Sequence, residues 1–335
     1  MGMRKNFPAE KMATKRDAAD VLRVRYWYEG VRQRTGLDTA YALEQHFEPE
    51  SFSRRPSDGK PSHRCKWQRY TDGRHTPQTR LAEWVDARLP GSLQELRHPL
   101  WDVLKRKPAR GTRNEAFLQR LKPDVLAVLY QPVDGIEVYW QRAAVTRVLI
   151  AKLERLASLD ALAALVWLLY EALAQDNSKR AERLVRSIYA VLLMRGIWWQ
   201  ERQLAGPLLE LFARRILPLS APPHLHFGMS AEDLVKASTG LNLIVHHTSA
   251  GKRPGLEWRQ RVRIMRGLLA GNTGLDVVHA MAPVYMPAPD EPDIPRTVLD
   301  DLLHQERLRA WGWACINSGR PEPFPPADVY KVGRR

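Results

Sequence analysis

Residues 62–77, SHRCKWQRYTDGRHTP, hold the densest group of side chains able to recognise a ligand. Ser62 is a good N-cap residue, so a helix is expected to begin there. Trp67 and Tyr70 are three apart and share one helix face. That face is expected to pack inward, against Leu81, Trp84 and Val85 of the next helix. His63, Arg64, Lys66, Gln68 and Arg69 take the remaining directions. Arg and Gln are the side chains that pair bidentately with guanine and adenine edges in a DNA major groove. Gly73 supplies a left-handed residue to end the helix, and Thr76 and Pro77 supply a cap and first turn for the following one.

Other chemistry is sparse. His224-x-His226 and His246-His247 are the only histidine clusters, and none has a carboxylate at the spacing of a zinc-binding HExxH helix. No metal or other cofactor is expected. Asp300-Asp301 sits where carboxylates favour the start of a helix. There is no phosphate-binding GxxxxGK[ST], no GxGxxG after a strand and no GxSxG. Gly267–Gly274 follows a helix rather than a strand and reads as a helix end. No catalytic residue is assigned, and a binding protein is favoured over an enzyme. Two cysteines, Cys65 and Cys315, make neither a disulfide framework nor a zinc motif, which suits a reducing cytoplasm.

The elements around this segment follow from periodicity and punctuation. A helix is expected from Asp17, with Val21, Val24, Tyr28 and Val31 on its inner side and Gly36 at its end. Asp38 or Thr39 caps a shorter helix over residues 40–47. Residues 48–61, with three prolines, read as a loop. A helix over 78–89 and a short one containing Leu100, Trp101 and Leu104 lead to the basic stretch KRKPARGTR at 105–113, the expected domain boundary. Beyond it, helices are expected over 137–158, 159–175, 179–195 and 204–216, then over 231–237, 256–270 and 297–313. Of the adjacent Trp198 and Trp199, only one can face a core. The proline-rich stretch 283–295 reads as a loop, and no alternating strand of any length is expected.

Together these elements predict an all-α protein in three parts. Residues 1–16 form a flexible basic arm, 17–113 a nucleic-acid-binding domain, and 114–335 a helical bundle for oligomerisation or partner binding. A chain of 335 residues with 44% hydrophobic content and 11 Trp can bury substantial cores. The formal charge of +15 and a pI near 10.0 predict attraction to polyanions. Residues 1–122 carry 26 Lys+Arg against 15 Asp+Glu, so the basic footprint is expected in the N-terminal third. Residues 161–170, ALAALVWLLY, are bounded by Asp160 and Glu171 and read as a buried helix rather than a membrane span. The N-terminus lacks the apolar stretch of a signal peptide.

The stretch Tyr70-Thr71-Asp72-Gly73-Arg74-His75-Thr76-Pro77, with Trp67 three before Tyr70, resembles the end of the recognition helix in Cro/C1-type (XRE-like) helix-turn-helix domains. Those domains often read apolar-x-x-Trp-Glu-x-Gly-x-x-x-Pro, with Tyr70 here in place of the Trp and Thr71 in place of the Glu. The preceding Tyr41-Ala42-Leu43-Glu44 is similar to the scaffold helix, and 21–34 to the first helix. The resemblance covers roughly residues 17–90, and the family's tight turn between scaffold and recognition helices is replaced by the loop 48–61. It implies that His63, Arg64, Lys66, Gln68 and Arg69 enter a major groove. Arg54, Arg55 and Lys60 of the loop are expected to contact phosphates, and Arg74 completes the expected set. The expected function is DNA binding, by a sequence-directed regulator or the DNA-recognising subunit of a larger bacterial or mobile-element assembly, with duplex DNA as partner. Two other classes stay open: an RNA-binding accessory subunit of a nucleoprotein complex, and a helical nuclease with scattered active-site residues.

Overall fold

The computed structural model describes residues 16–54, 61–62, 65–105, 115–133, 136–247, 255–289 and 293–330. The fold is all-α, with three two-stranded ladders among the described residues. The chain forms two compact units, Met1–Leu93 and Gln94–Arg335. The division falls ahead of the basic stretch 105–113, where the sequence suggests the break. The reason is that Leu100, Trp101 and Leu104 are buried in a helix that packs within the second unit.

The first unit contains α1 (Ala18–Thr35), α2 (Ala40–Phe47), the ladder β1 (Ser53–Arg54) with β2 (Pro61–Ser62), α3 (Lys66–Thr71) and α4 (Thr79–Arg88). Helix α1 starts on Asp17, whose carboxylate accepts the Ala19 N–H at 2.8 Å, and stops on Gly36 at φ 69°. From Tyr26 to Val31 every residue is buried, so α1 is central rather than amphipathic. Thr39 caps α2 through the Ala42 N–H.

Two expectations fail at α3. Ser62 does not cap it but pairs with Ser53 in the short ladder, and the helix begins only at Lys66, after Cys65 at φ 50°. Likewise α4 begins after Gln78, not on Thr76. Trp67 and Tyr70 are buried as expected, Trp67 at 0% exposure. Trp67 stacks on Phe47 at 5.3 Å between centroids and 10° between planes, and it packs against Trp27 at 5.5 Å. Trp84 stays 49% exposed under the Arg88 guanidinium, with its indole N–H donated to the Phe47 carbonyl.

Helix α5 (Ser92–Leu96) spans the division. The second unit continues with α6 (Pro99–Lys105), α7 (Glu115–Leu118), α8 (Pro123–Leu129), β3 (Tyr130–Val133) and β4 (Ile136–Arg142). Next come α9 (Arg147–Leu156), α10 (Leu159–Ala174), α11 (Ser178–Met194), α12 (Gly196–Glu201) and α13 (Ala205–Arg215). The chain ends in β5 (Leu225–Phe227), α14 (Ala231–His247), α15 (Trp258–Leu269), α16 (Asp276–Ala280), β6 (Tyr285–Pro287), α17 (Arg296–Ser318) and α18 (Ala327–Tyr330). Helix α10 is buried on nearly every side and forms the axis of this unit, with α6, α9 and α11 packed on it. Of the tryptophan pair, Trp199 is buried, and Trp198 lies half-buried under Arg195 and Arg202.

Corrections here concern strands. A single helix over 137–158 does not form: 136–142 is a strand of an antiparallel hairpin, and α9 starts only after Thr146 caps it through Leu149. The stretch 283–295 contains β6, which pairs with β5.

A buried pair joins three pieces of this unit. The Leu100 N–H donates to His98 Nδ1, which places the imidazole hydrogen on Nε2, 3.2 Å from Asp160 Oδ2. Asp160 Oδ1 accepts the Lys122 N–H. Burial alone would raise the Asp160 pKa. His98 and Lys122 outweigh it and hold the carboxyl below its ordinary value.

Candidate nucleic-acid interface

Helix α3 has only six residues and no cap of its own. A helix that short is marginal in isolation. Two carboxylates from the end of α2 supply what it lacks. Glu44, fully buried, accepts the Trp67 N–H through Oε2 at 3.3 Å and the Ser51 hydroxyl through Oε1 at 3.2 Å. Glu48 accepts the Trp67 indole N–H at 3.1 Å and pairs with the Lys66 ammonium at 2.7 Å. Negative groups at the first turn also favour the helix dipole. The Tyr70 hydroxyl is pushed up to about 12 by burial, then by the charges of Glu48 and Glu44, so it stays neutral.

The turn after α3 is held from α1. Arg16 donates to the Gly73 carbonyl at 2.8 Å and to the Thr76 hydroxyl, which also accepts from Arg23 at 3.3 Å. Gly73 sits at φ 68°, and a Cβ there would lie 2.5 Å from the Val21 carbonyl oxygen. A glycine is therefore required on two grounds, its left-handed backbone and the close approach of α1.

With Trp67 and Tyr70 turned inward, α3 turns Gln68 and Arg69 to solvent. Gln68 Nε2 donates to the Thr71 hydroxyl at 3.2 Å, a weak contact an incoming acceptor can replace. Arg74 is exposed beside Asp72 at 3.2 Å. A recess of about 180 Å³ lies beside the helix, with Lys66, Arg69, His75 and Gln78 among its walls. Gln68, Arg69 and Arg74 thus lie on one short helix and the turn after it. Lys66 is half-buried in its ion pair and serves α3 itself. Arg54 lies in β1. Arg55, Lys60, His63 and Arg64 lie outside the described residues, as do residues 1–15 and 106–114.

Sequence reasoning missed Glu44 and Glu48, which position α3, and Arg16 and Arg23, which hold the turn. An available signal was two acids four apart on α2, just ahead of a strongly basic stretch. Charge counted by unit is also less lopsided than charge counted to residue 122. Residues 1–93 carry 18 Lys+Arg against 12 Asp+Glu, and 105–113 add five basic residues with no acid. No helix among the described residues is long and apolar enough to cross a membrane.

Chemically, the exposed side of α3 offers one amide and one guanidinium in the directions a base edge would need, and further cations beside them for phosphates. No protein family matches the chain, and no curated protein or solved structure is found to be similar to it.

Proposed function

We propose that this protein binds duplex DNA through α3 and the turn that follows it. The proposal rests on one observation: α3 buries both its aromatics and keeps Gln68 and Arg69 exposed on a helix clamped from α1 and α2. Holding two planar, bidentate side chains on a fixed backbone is what base-edge recognition needs. Arg74, with the basic residues of the preceding segment and of 105–113, supplies phosphate contacts that set affinity but not sequence. In this reading α2 and α3 act as the scaffold and recognition helices of a helix-turn-helix-like element with an enlarged connection. Residues 94–335 are the assembly part of a regulator or of a DNA-recognising subunit.

The test is selection from a random duplex library with the full chain, followed by titration of the enriched sequence, a random duplex and a structured RNA at several salt concentrations. An enriched motif is expected, with log affinity falling linearly in log salt. Gln68→Ala and Arg69→Ala should each cut discrimination by about 1–3 kcal/mol. No enriched motif, together with tighter binding to the RNA, would overturn the proposal in favour of an RNA-binding subunit.

A further inference from the structure

The hairpin β3–β4 carries two of the most exposed aromatics in the second unit, Tyr139 at 66% and Trp140 at 59%. Successive strand residues point to opposite faces, so both faces of the ribbon are open there. Among the described residues β4 pairs with β3 alone. Its free edge follows from the ladder. The Ala143 N–H donates to the Leu129 carbonyl at 2.9 Å, and the register then runs Tyr130↔Arg142, Gln131↔Gln141, Pro132↔Trp140. Antiparallel pairs alternate between bonded and non-bonded. Gln131 and Gln141 therefore bond each other, and the Trp140 N–H and C=O point away from β3.

The two edges are not alike. The same alternation turns the Pro132 nitrogen outward on β3, where proline has no N–H to offer, so that edge is closed. Around Trp140 the edge of β4 holds no proline or lysine, the usual devices that blunt an edge. A two-stranded ribbon is also marginal alone, and further strands stabilise it.

We propose that the β4 edge pairs with the β4 edge of a second copy of this chain, giving a four-stranded antiparallel sheet about a two-fold axis at Trp140. A two-fold normal to the sheet keeps each residue on its own face and makes Trp140 its own bonded partner, with Tyr139 opposite Gln141 of the other copy. A second copy is the occupant that charge favours. Residues 130–142 hold Asp134, Glu137 and Arg142, and Arg142 is already paired with Glu171 at 2.6 Å. The seam therefore repels neither itself nor a neutral strand, whereas a nucleic acid would find no cation to meet. Tyr and Trp are also the residues that dominate protein–protein interfaces. This inference rests on reading residues 94–335 as the assembly part and is independent of DNA binding.

Sedimentation of the full chain without nucleic acid, over a range of concentrations and salt, tests it. The expected species has twice the 38.5 kDa chain mass. Salt should tighten it by screening the +15 charge of each copy, the reverse of salt's effect on phosphate binding. Trp140→Lys should weaken association at least tenfold without lowering the melting temperature of the monomer, and Trp140→Phe should retain it. In the wild type, exchange of the Trp140 amide should slow as concentration rises. That readout needs no variant. A wild-type monomer at every concentration, or a dimer indifferent to Trp140→Lys with an unprotected Trp140 amide, would overturn the proposal. An intact dimer that binds no duplex would sink the DNA reading alone.

Discussion

Two aromatic groups in this chain have opposite settings. Around α3, Trp27, Phe47, Trp67 and Tyr70 form a closed cluster whose polar tips are met by Glu48 or sealed by burial. On β4, Tyr139 and Trp140 stand in solvent on a two-stranded ribbon anchored at its base by Arg142 and Glu171. The first group makes a short helix rigid so that its other face can be presented. The second is itself the presented surface. Aromatic content alone does not distinguish these roles. What distinguishes them is whether the backbone beneath is satisfied.

The sharpest break of this contrast is a pair of truncations. Trp67→Ala should cost about 3–5 kcal/mol and unfold the first unit. Trp140→Ala, measured where the chain is monomeric, should stay within about 0.5 kcal/mol. Equal losses in thermal or urea unfolding would erase the difference. Next in size is Glu44→Ala, which leaves the buried Trp67 N–H without its acceptor and should cost about 1–3 kcal/mol. If it is neutral, α3 does not depend on its borrowed cap.

Smaller still is Arg74→Ala. It should weaken target and random duplexes alike and shallow the salt slope by about 0.9 per charge removed, as titrations at three salt concentrations would read. Smallest is an acid effect confined to the second unit. Asp160 titrates below its ordinary 3.8 in the folded chain, so its favourable contribution is present above that value and lost as pH falls through the lower, folded one. Urea midpoints of the second unit should drop below pH 4, and Asp160→Asn should flatten that fall.

Much of this architecture was legible from local signals. Asp17 and Gly36 bound α1, and Thr39 starts α2, because caps are decided by residues adjacent to the helix they serve. The inward pair Trp67 and Tyr70 was legible from spacing three, and with it the outward Gln68 and Arg69. The start of α3 was not. Its cap comes from Glu44 and Glu48, some twenty residues earlier, and no local pattern announces a partner at that range. Lys66 was misjudged for the same reason, since its partner Glu48 is visible only after folding. The hairpin is a different failure. Asp134-Gly135 between a run with Pro132 and the β-branched, aromatic run IEVYW is a hairpin signal in the sequence itself. It was overridden by extending the period of α9 backward past Thr146.

Because α3 owes its first turn to side chains of another helix, residues 66–71 are not a portable module. A peptide spanning 62–77 should be unstructured, and transplanting the exposed face onto another scaffold would have to carry positions 44 and 48 with it. Within the protein the same dependence restricts drift. Position 48 must keep a carboxylate as long as position 67 keeps an indole and position 66 an ammonium, so this trio can change only in concert, while the outward positions 68 and 69 remain free to vary and retune what the helix meets.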